Sequence, residues 1–322
     1  MIYMTYPMPS CAEAALASAE GRPQGIERLT AKLVLDARAR LGECCRWDEL
    51  TGCLWWVDID GGRLHRFDPA GGHNDSMLIG EAIGCFAQDE AGGFIAGLRS
   101  GYARITAWRG DVVRLGGPAY DPARARFNDG RCDPAGRFWA GTLWEPRDQP
   151  LAALFRLDHD GRWSAHAQPL TIANGLTFSP DGRRMTLADS PAHTLWTYDY
   201  DVERGLPSRA RALRVYEPGG GRPDGACVDA EGNLWVAVIQ GGRVEKLDPD
   251  GRLLAIVDVP VPCPTCCTLG GEDLRTLFIT TGRIRMTPAE LAAKPTAGGL
   301  YAVRLPAHHA SGIIEPRYRS AW

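Results

Sequence analysis

The chain has 322 residues, of which 44% are hydrophobic and 23% charged, with a formal net charge of -3. That is ordinary globular composition. The weak negative charge and the lack of a basic block argue against a nucleic-acid partner, and no run of about 18 apolar residues is present to cross a membrane as a helix.

Residues 1–28 read as an N-terminal extension. The first basic residue is Arg22, and the short apolar stretch 14–19 is flanked by Glu13 and Glu20, so no secretory signal and a cytoplasmic protein are expected. The ten cysteines are then expected to be reduced thiols. Cys263-Pro264-Thr265-Cys266 carries the C-x-x-C spacing, but no second such pair and no paired histidines follow. The cysteines therefore read as small buried side chains near the ends of inner strands.

Residues 29–36 read as a strand ahead of an internal repeat. Six segments then share one pattern: an acidic turn closed by glycine, an apolar strand often carrying tryptophan, a second turn and another strand. The turn glycines are Gly52, Gly92, Gly136, Gly182 and Gly232, with Arg275 in register in the sixth segment. The spacings are 40, 44, 46, 50 and 43 residues. A period of about 40–50 residues built from short strands and glycine turns is the signature of propeller blades. The expectation is an all-β chain, a six-bladed β-propeller over residues 29–306 with a C-terminal tail at 307–322. The strand at 29–36 is expected to join the sheet of the last repeat and seal the ring, because an unsealed ring exposes two edges. One helix is expected, over 287–294, with Thr287 as N-cap and Pro288 in the first turn. It interrupts the sixth blade and is expected as a lid or rim element.

Four polar motifs share one phase of the repeat. Leu41-Gly42-Glu43, Phe127-Asn128-Asp129-Gly130, Ala173-Asn174-Gly175 and Arg222-Pro223-Asp224-Gly225 each stand eight or nine residues before a turn glycine. Taken singly, each is a plain turn sequence, because Asn, Asp and Gly tolerate positive φ. Taken together, with an apolar strand between each motif and its turn, they place Glu43, Asn128, Asn174 and Asp224 at one spot near the ring axis. Two carboxylates and two carboxamides suit one hard or borderline divalent cation. The second repeat offers Gly84 at this phase, where a glycine leaves room for a substrate; the sixth offers Cys267. A serine–histidine mechanism has no support: there is no Gly-x-Ser-x-Gly motif, and the seven histidines do not recur in phase.

These motifs, with Asp133-Pro134-Ala135-Gly136 and Ser179-Pro180-Asp181-Gly182 downstream, resemble the senescence-marker-protein/gluconolactonase family, also called regucalcin-like, from about residue 33 to about residue 305. The resemblance implies a six-bladed propeller with one divalent metal (calcium, zinc, manganese or magnesium) in its central channel. It implies hydrolysis of a small sugar lactone of the gluconolactone, arabinonolactone or xylonolactone type. It gives Glu43, Asn128, Asn174 and Asp224 as metal ligands and Asp224 also as general base. Arg126, Asn128 and Glu145 become substrate contacts. The chain departs from the family pattern at Cys44-Cys45, at Leu269 and at Glu145-Pro146, so the substrate wall is less well read than the metal site. Specificity is assigned to the loops around 144–150 and 284–297. Two other readings stay open: a binding or calcium-handling propeller stapled by its metal, and a hydrolase of another ester at the same site.

Overall fold

The computed structural model describes residues 25–166 and 169–321. The expected signal-free leader and Cys11 therefore lie outside the described residues. Six antiparallel sheets make a six-bladed β-propeller. Their innermost strands, in chain order, are Gly42–Asp48, Ile83–Gln88, Ala125–Cys132, Ala173–Phe178, Arg222–Val228 and Pro264–Gly270. Neighbouring blades pack through their buried aromatic and aliphatic side chains. Trp56, Trp139 and Trp235 are among the largest fully buried groups, and each such side chain contributes roughly 2–3 kcal/mol of burial.

The recurring tryptophan has a polar reason as well. Trp55, Trp139 and Trp235 each donate an indole N–H to the turn aspartate of their own blade, Asp48, Asp133 and Asp229, at 3.3–3.4 Å. The same aspartate fixes its turn: in blade three Gly136 N donates to Asp133 O and Ala135 N to Asp133 Oδ1. A buried indole N–H needs an acceptor, and a turn aspartate needs donors, so the repeat keeps both.

The strand expected over 29–36 is two strands. Glu27–Thr30 adds a parallel fifth strand to blade five, against Leu253–Asp258. Lys32–Leu35 completes blade six, antiparallel to Leu300–Arg304. Ala31 is buried between them and donates its amide to Asp258 O. One N-terminal segment thus closes the ring and also clamps the two final blades together.

Residues 307–321 cross the end of the propeller where the aspartate turns lie. Arg317 pairs with Asp48, Ser320 donates to Asp89, and Arg319 N donates to Gly136 O. Tyr318 is fully buried there. Glu315 enters the channel itself and pairs with Arg46 at 3.2 Å and Arg131 at 3.0 Å. Those arginines also donate to Gly130 O and Ala226 O, which ties blade one to blade three and blade three to blade five across the axis. At the edge of the ring, Glu27 accepts from His308, joining the first described strand to the C-terminal tail.

The helix is Pro288–Ala293, with Thr287 as N-cap and a reciprocal capping box to Glu290. It lies between the last two strands of blade six, and none of its residues is fully buried.

Candidate metal centre and active site

Every innermost strand has its register broken at one place. The breaks fall at Glu43/Arg46, Ile83/Cys85, Phe127/Gly130, Asn174/Thr177, Pro223/Ala226 and Pro264/Cys266. A bulge bends the strand and re-aims a side chain out of the pleat. The four in-phase motifs lie on these bulges, which is how turn-like sequences occur at the head of regular strands. Cys44, directly after Glu43, has φ 47°, and Gly175, directly after Asn174, has φ 58°.

The bulges bring Glu43, Asn128, Asn174 and Asp224 to one cavity at the end of the channel opposite the C-terminal tail. Arg126 lines it too, with Leu41, Ile172, Ser190 and Ile239 among its neighbours. All four proposed ligands are at least nine-tenths buried. Aspartates position them from behind. Asp58 accepts from the amides of Arg40 and Leu41 and fixes the approach to Glu43. Asp189 does the same for the approach to Asn174 through Thr171 and Ile172. Asp129 reaches across from blade three to accept from Leu176 N of blade four.

A hydrogen-bond chain joins two of the four and ends beside a third. Arg126 Nη1 donates to Asn128 Oδ1 at 2.8 Å, and Asn128 Nδ2 donates to Asn174 Oδ1 at 2.7 Å. Asn174 Nδ2 donates to Ser190 Oγ, which donates to Pro223 O beside Asp224. Ser190 was not legible as a site residue, because it follows the second strand of blade four and has no counterpart in phase.

The carboxylates are the unbalanced part. Neither Glu43 nor Asp224 has an ion-pair partner within 4 Å among the described residues. Burial holds both carboxyls well above the usual carboxylate range, and the Asp224 charge raises Glu43 further. Each amide oxygen has two lone pairs and spends one on its hydrogen bond, so Asn128 and Asn174 each keep one to offer. An all-oxygen donor set with two buried carboxylates that make no ion pair fits a divalent cation.

Two expectations at this phase need correction. Gly84 does not make room for a substrate. A Cβ there would stand 2.1 Å from Phe127 O, so glycine is required by the backbone of blade three immediately beside Asn128. Cys267 does not face the cavity either: its Sγ packs between blades five and six, toward Trp235 O and Cys227 Sγ. Thr265 occupies the bulge of blade six, and its hydroxyl is used on Thr280 and Gly42 O. From blade six the cavity receives Cys263, Ile284 and Arg285. Cys44 and Cys45 are buried behind Glu43, and the nine described cysteines are all free.

Glu145 stands beside Arg126, 3.8 Å from its Nε, but is held by Arg99, whose Nη2 donates to Oε1 at 2.6 Å. It is not among the cavity-lining residues. Arg147, Arg222, Gln240 and Arg285 are. None of these was singled out from sequence: Arg147 and Arg285 fall in the loops to which specificity was assigned, but a connection carries no period that picks out one residue.

A family model described as the SMP-30/Gluconolactonase/LRE-like region matches residues 41–283. The chain belongs to this family, a family of lactone-hydrolysing enzymes. A 6-deoxy-6-sulfogluconolactonase of Pseudomonas putida is 43% identical over 290 residues, spanning 90% of this chain and 98% of that protein. Human regucalcin is 33% identical over 276 residues, spanning 84% and 92%. The crystal structure of a calcium-binding protein, regucalcin, from Agrobacterium tumefaciens superposes with TM-score 0.86 at 24% identity, over 92% of this chain and all of that one, and so shares the fold. No helix among the described residues is long and apolar enough to cross a membrane.

Proposed function

We propose that this enzyme hydrolyses a sugar lactone to the sugar acid, with one divalent cation held by Glu43, Asn128, Asn174 and Asp224. The observation that carries the reading is the pair of buried carboxylates with no ion-pair partner within 4 Å among the described residues, placed beside two amide oxygens on four separate blades. Relatives named for lactonase activity support the reaction class, and the Agrobacterium neighbour described as a calcium-binding protein supports a divalent cation, calcium among the candidates.

A lactone is a cyclic ester, so its opening needs an activated water, stabilised charge on the carbonyl oxygen and a proton for the leaving alkoxide. A bound divalent cation supplies Lewis acidity, polarising a carbonyl and lowering the pKa of water. The protein's own groups do the rest. Asp224 is the general base: its carboxyl lies in the cavity wall and takes a proton from the attacking water. Arg126 fixes Asn128 through Nη1 and turns its remaining N–H groups to substrate hydroxyls or the developing oxyanion. The apolar wall of Leu41, Ile172 and Ile239 limits water around the ring. We assign the enzyme to the cytoplasm on its free, buried cysteines.

The test is acid release from a panel of glucono-, galactono-, arabinono- and xylonolactones, after chelation and again after adding back calcium, zinc, manganese or magnesium. Release that disappears with chelator and returns with metal supports the assignment. A folded protein that binds metal yet releases acid from none of them is instead a metal-stapled binding propeller.

A further inference from the structure

Three arginines at the mouth of the cavity have no use in the reaction as described. Arg147 comes from the connection after Phe138–Trp144 in blade three, Arg222 begins the innermost strand of blade five, and Arg285 comes from the connection before the blade-six helix. Other arginines near the site are committed: Arg99 to Glu145, and Arg46 and Arg131 to Glu315. No side-chain hydrogen bond or ion pair engages Arg147, Arg222 or Arg285 among the described residues, and Arg222 Nε is buried without a partner.

Nothing in the fold favours this grouping. Arg147 and Arg285 have φ 60° and 57°, a left-handed backbone that non-glycine residues seldom adopt. Their turns are nonetheless fixed by Arg147 N to Trp144 O and by Arg283 N to Arg40 O of the adjoining blade. The three also repel one another: burial and the like charges of Arg285 and Arg222 all act against the Arg147 cation. Among the cavity-lining residues, Arg126, Arg147, Arg222 and Arg285 stand against two carboxylates, Glu43 and Asp224, with neither carboxylate ion-paired and Glu145 beside Arg126 already held by Arg99, so the lining carries more arginines than acids before any divalent cation adds its own charge. A neutral sugar needs hydroxyl partners and gives no reason for that excess. An anion gives one, because guanidinium pairs oxyanions with charge-assisted, often bidentate hydrogen bonds.

We propose that Arg147, Arg222 and Arg285 form a receptor for an oxyanion carried by the substrate away from its ester ring, so that the preferred substrate is a sugar lactone with a sulfonate, phosphate or carboxylate on its terminal carbon. This rests on the lactonase reading above. The arginines select the substrate; they take no part in the proton transfers. The name of the Pseudomonas putida relative describes a lactone of this class.

The test compares kcat/KM for three lactones on the metal-loaded enzyme: gluconolactone, its 6-phosphate and its 6-deoxy-6-sulfonate. The wild type is expected to prefer at least one anionic lactone over the neutral one by about tenfold or more, and the two anionic arms identify which group is read. In Arg147→Gln and Arg285→Gln, the ratio of anionic to neutral kcat/KM is expected to fall about tenfold to a hundredfold, mainly through KM. Raising the salt should erode the same ratio. Equal rates on charged and neutral lactones, or variants that slow both alike, overturn the receptor and leave the lactonase reading standing. Loss of all three activities overturns the lactonase reading instead. In that case calorimetry with 6-phosphogluconate and gluconate decides the receptor without turnover, and equal affinities for the two would overturn it.

Discussion

Glu43 and Asp224 are buried, the Asp224 charge raises the Glu43 carboxyl further, and neither has an ion-pair partner within 4 Å among the described residues. That makes the metal-free protein sensitive to pH in a defined direction. Their folded pKa values lie above the unfolded ones, near 4. Whatever stability they contribute is present below that range and is lost as pH rises through the raised values. A cation reverses the sign by favouring the ionised pair. The melting-temperature gain on adding metal is therefore expected to be larger at about pH 8 than at about pH 5, measured by thermal unfolding of chelated and reloaded protein. A gain that does not change with pH would remove these carboxylates from the ligand set. Asp224→Asn is expected to lower kcat/KM by about a hundredfold or more while leaving the metal-free melting temperature unchanged or raised, since it removes a buried charge. A marked drop in that melting temperature would mean Asp224 is structural. The four proposed ligands were legible as a cluster because each stands eight or nine residues before a turn glycine. Ser190 and the arginines at 147 and 285 were not, because connections have no period and only the folded ring brings them to the cavity.

The bulge is the element that converts the repeat into a site. Turn-like motifs at the head of apolar strands read as turns in isolation, and only their common phase showed that they share a place. The same reasoning misjudged blades two and six. Gly84 answers to the backbone of Phe127, a contact 43 residues away in sequence, and the sixth bulge falls at Thr265, two residues before the position that counting back from Arg275 selects. The C-terminal tail was the least legible element. It has no repeat and little periodicity, yet Glu315 balances Arg46 and Arg131 on the axis, with side chains only 3% and 5% exposed. Removing one partner from a buried charge cluster costs about 3–5 kcal/mol. Glu315→Ala is expected to destabilise by that order in urea unfolding, against less than about 1 kcal/mol for the exposed pair in Arg28→Ala. Similar small losses in both would mean that the tail merely rests on the ring.

The propeller as a whole is closed by its first described residues. Glu27–Thr30 and Lys32–Leu35 pair with consecutive blades, so the ring is sealed by a segment that belongs to neither repeat. A chain starting at residue 37 would leave blade six with three strands and two outer edges unpaired. It is expected to lose single-transition unfolding and to self-associate, as read by denaturant titration and size-exclusion chromatography. A monomer with one unaltered transition would show that closure is dispensable. Closure matters for the proposed function because the four proposed ligands come from blades one, three, four and five, and only an intact ring holds them to one cavity. The most direct test of that arrangement is a metal titration of the chelated enzyme, following bound metal and acid release together. The account predicts one divalent ion per chain, lactone hydrolysis rising in proportion to its occupancy, and loss of both in the Glu43→Gln, Asp224→Asn double variant. Hydrolysis by the metal-free enzyme, or undiminished binding of one ion by the double variant, would contradict it.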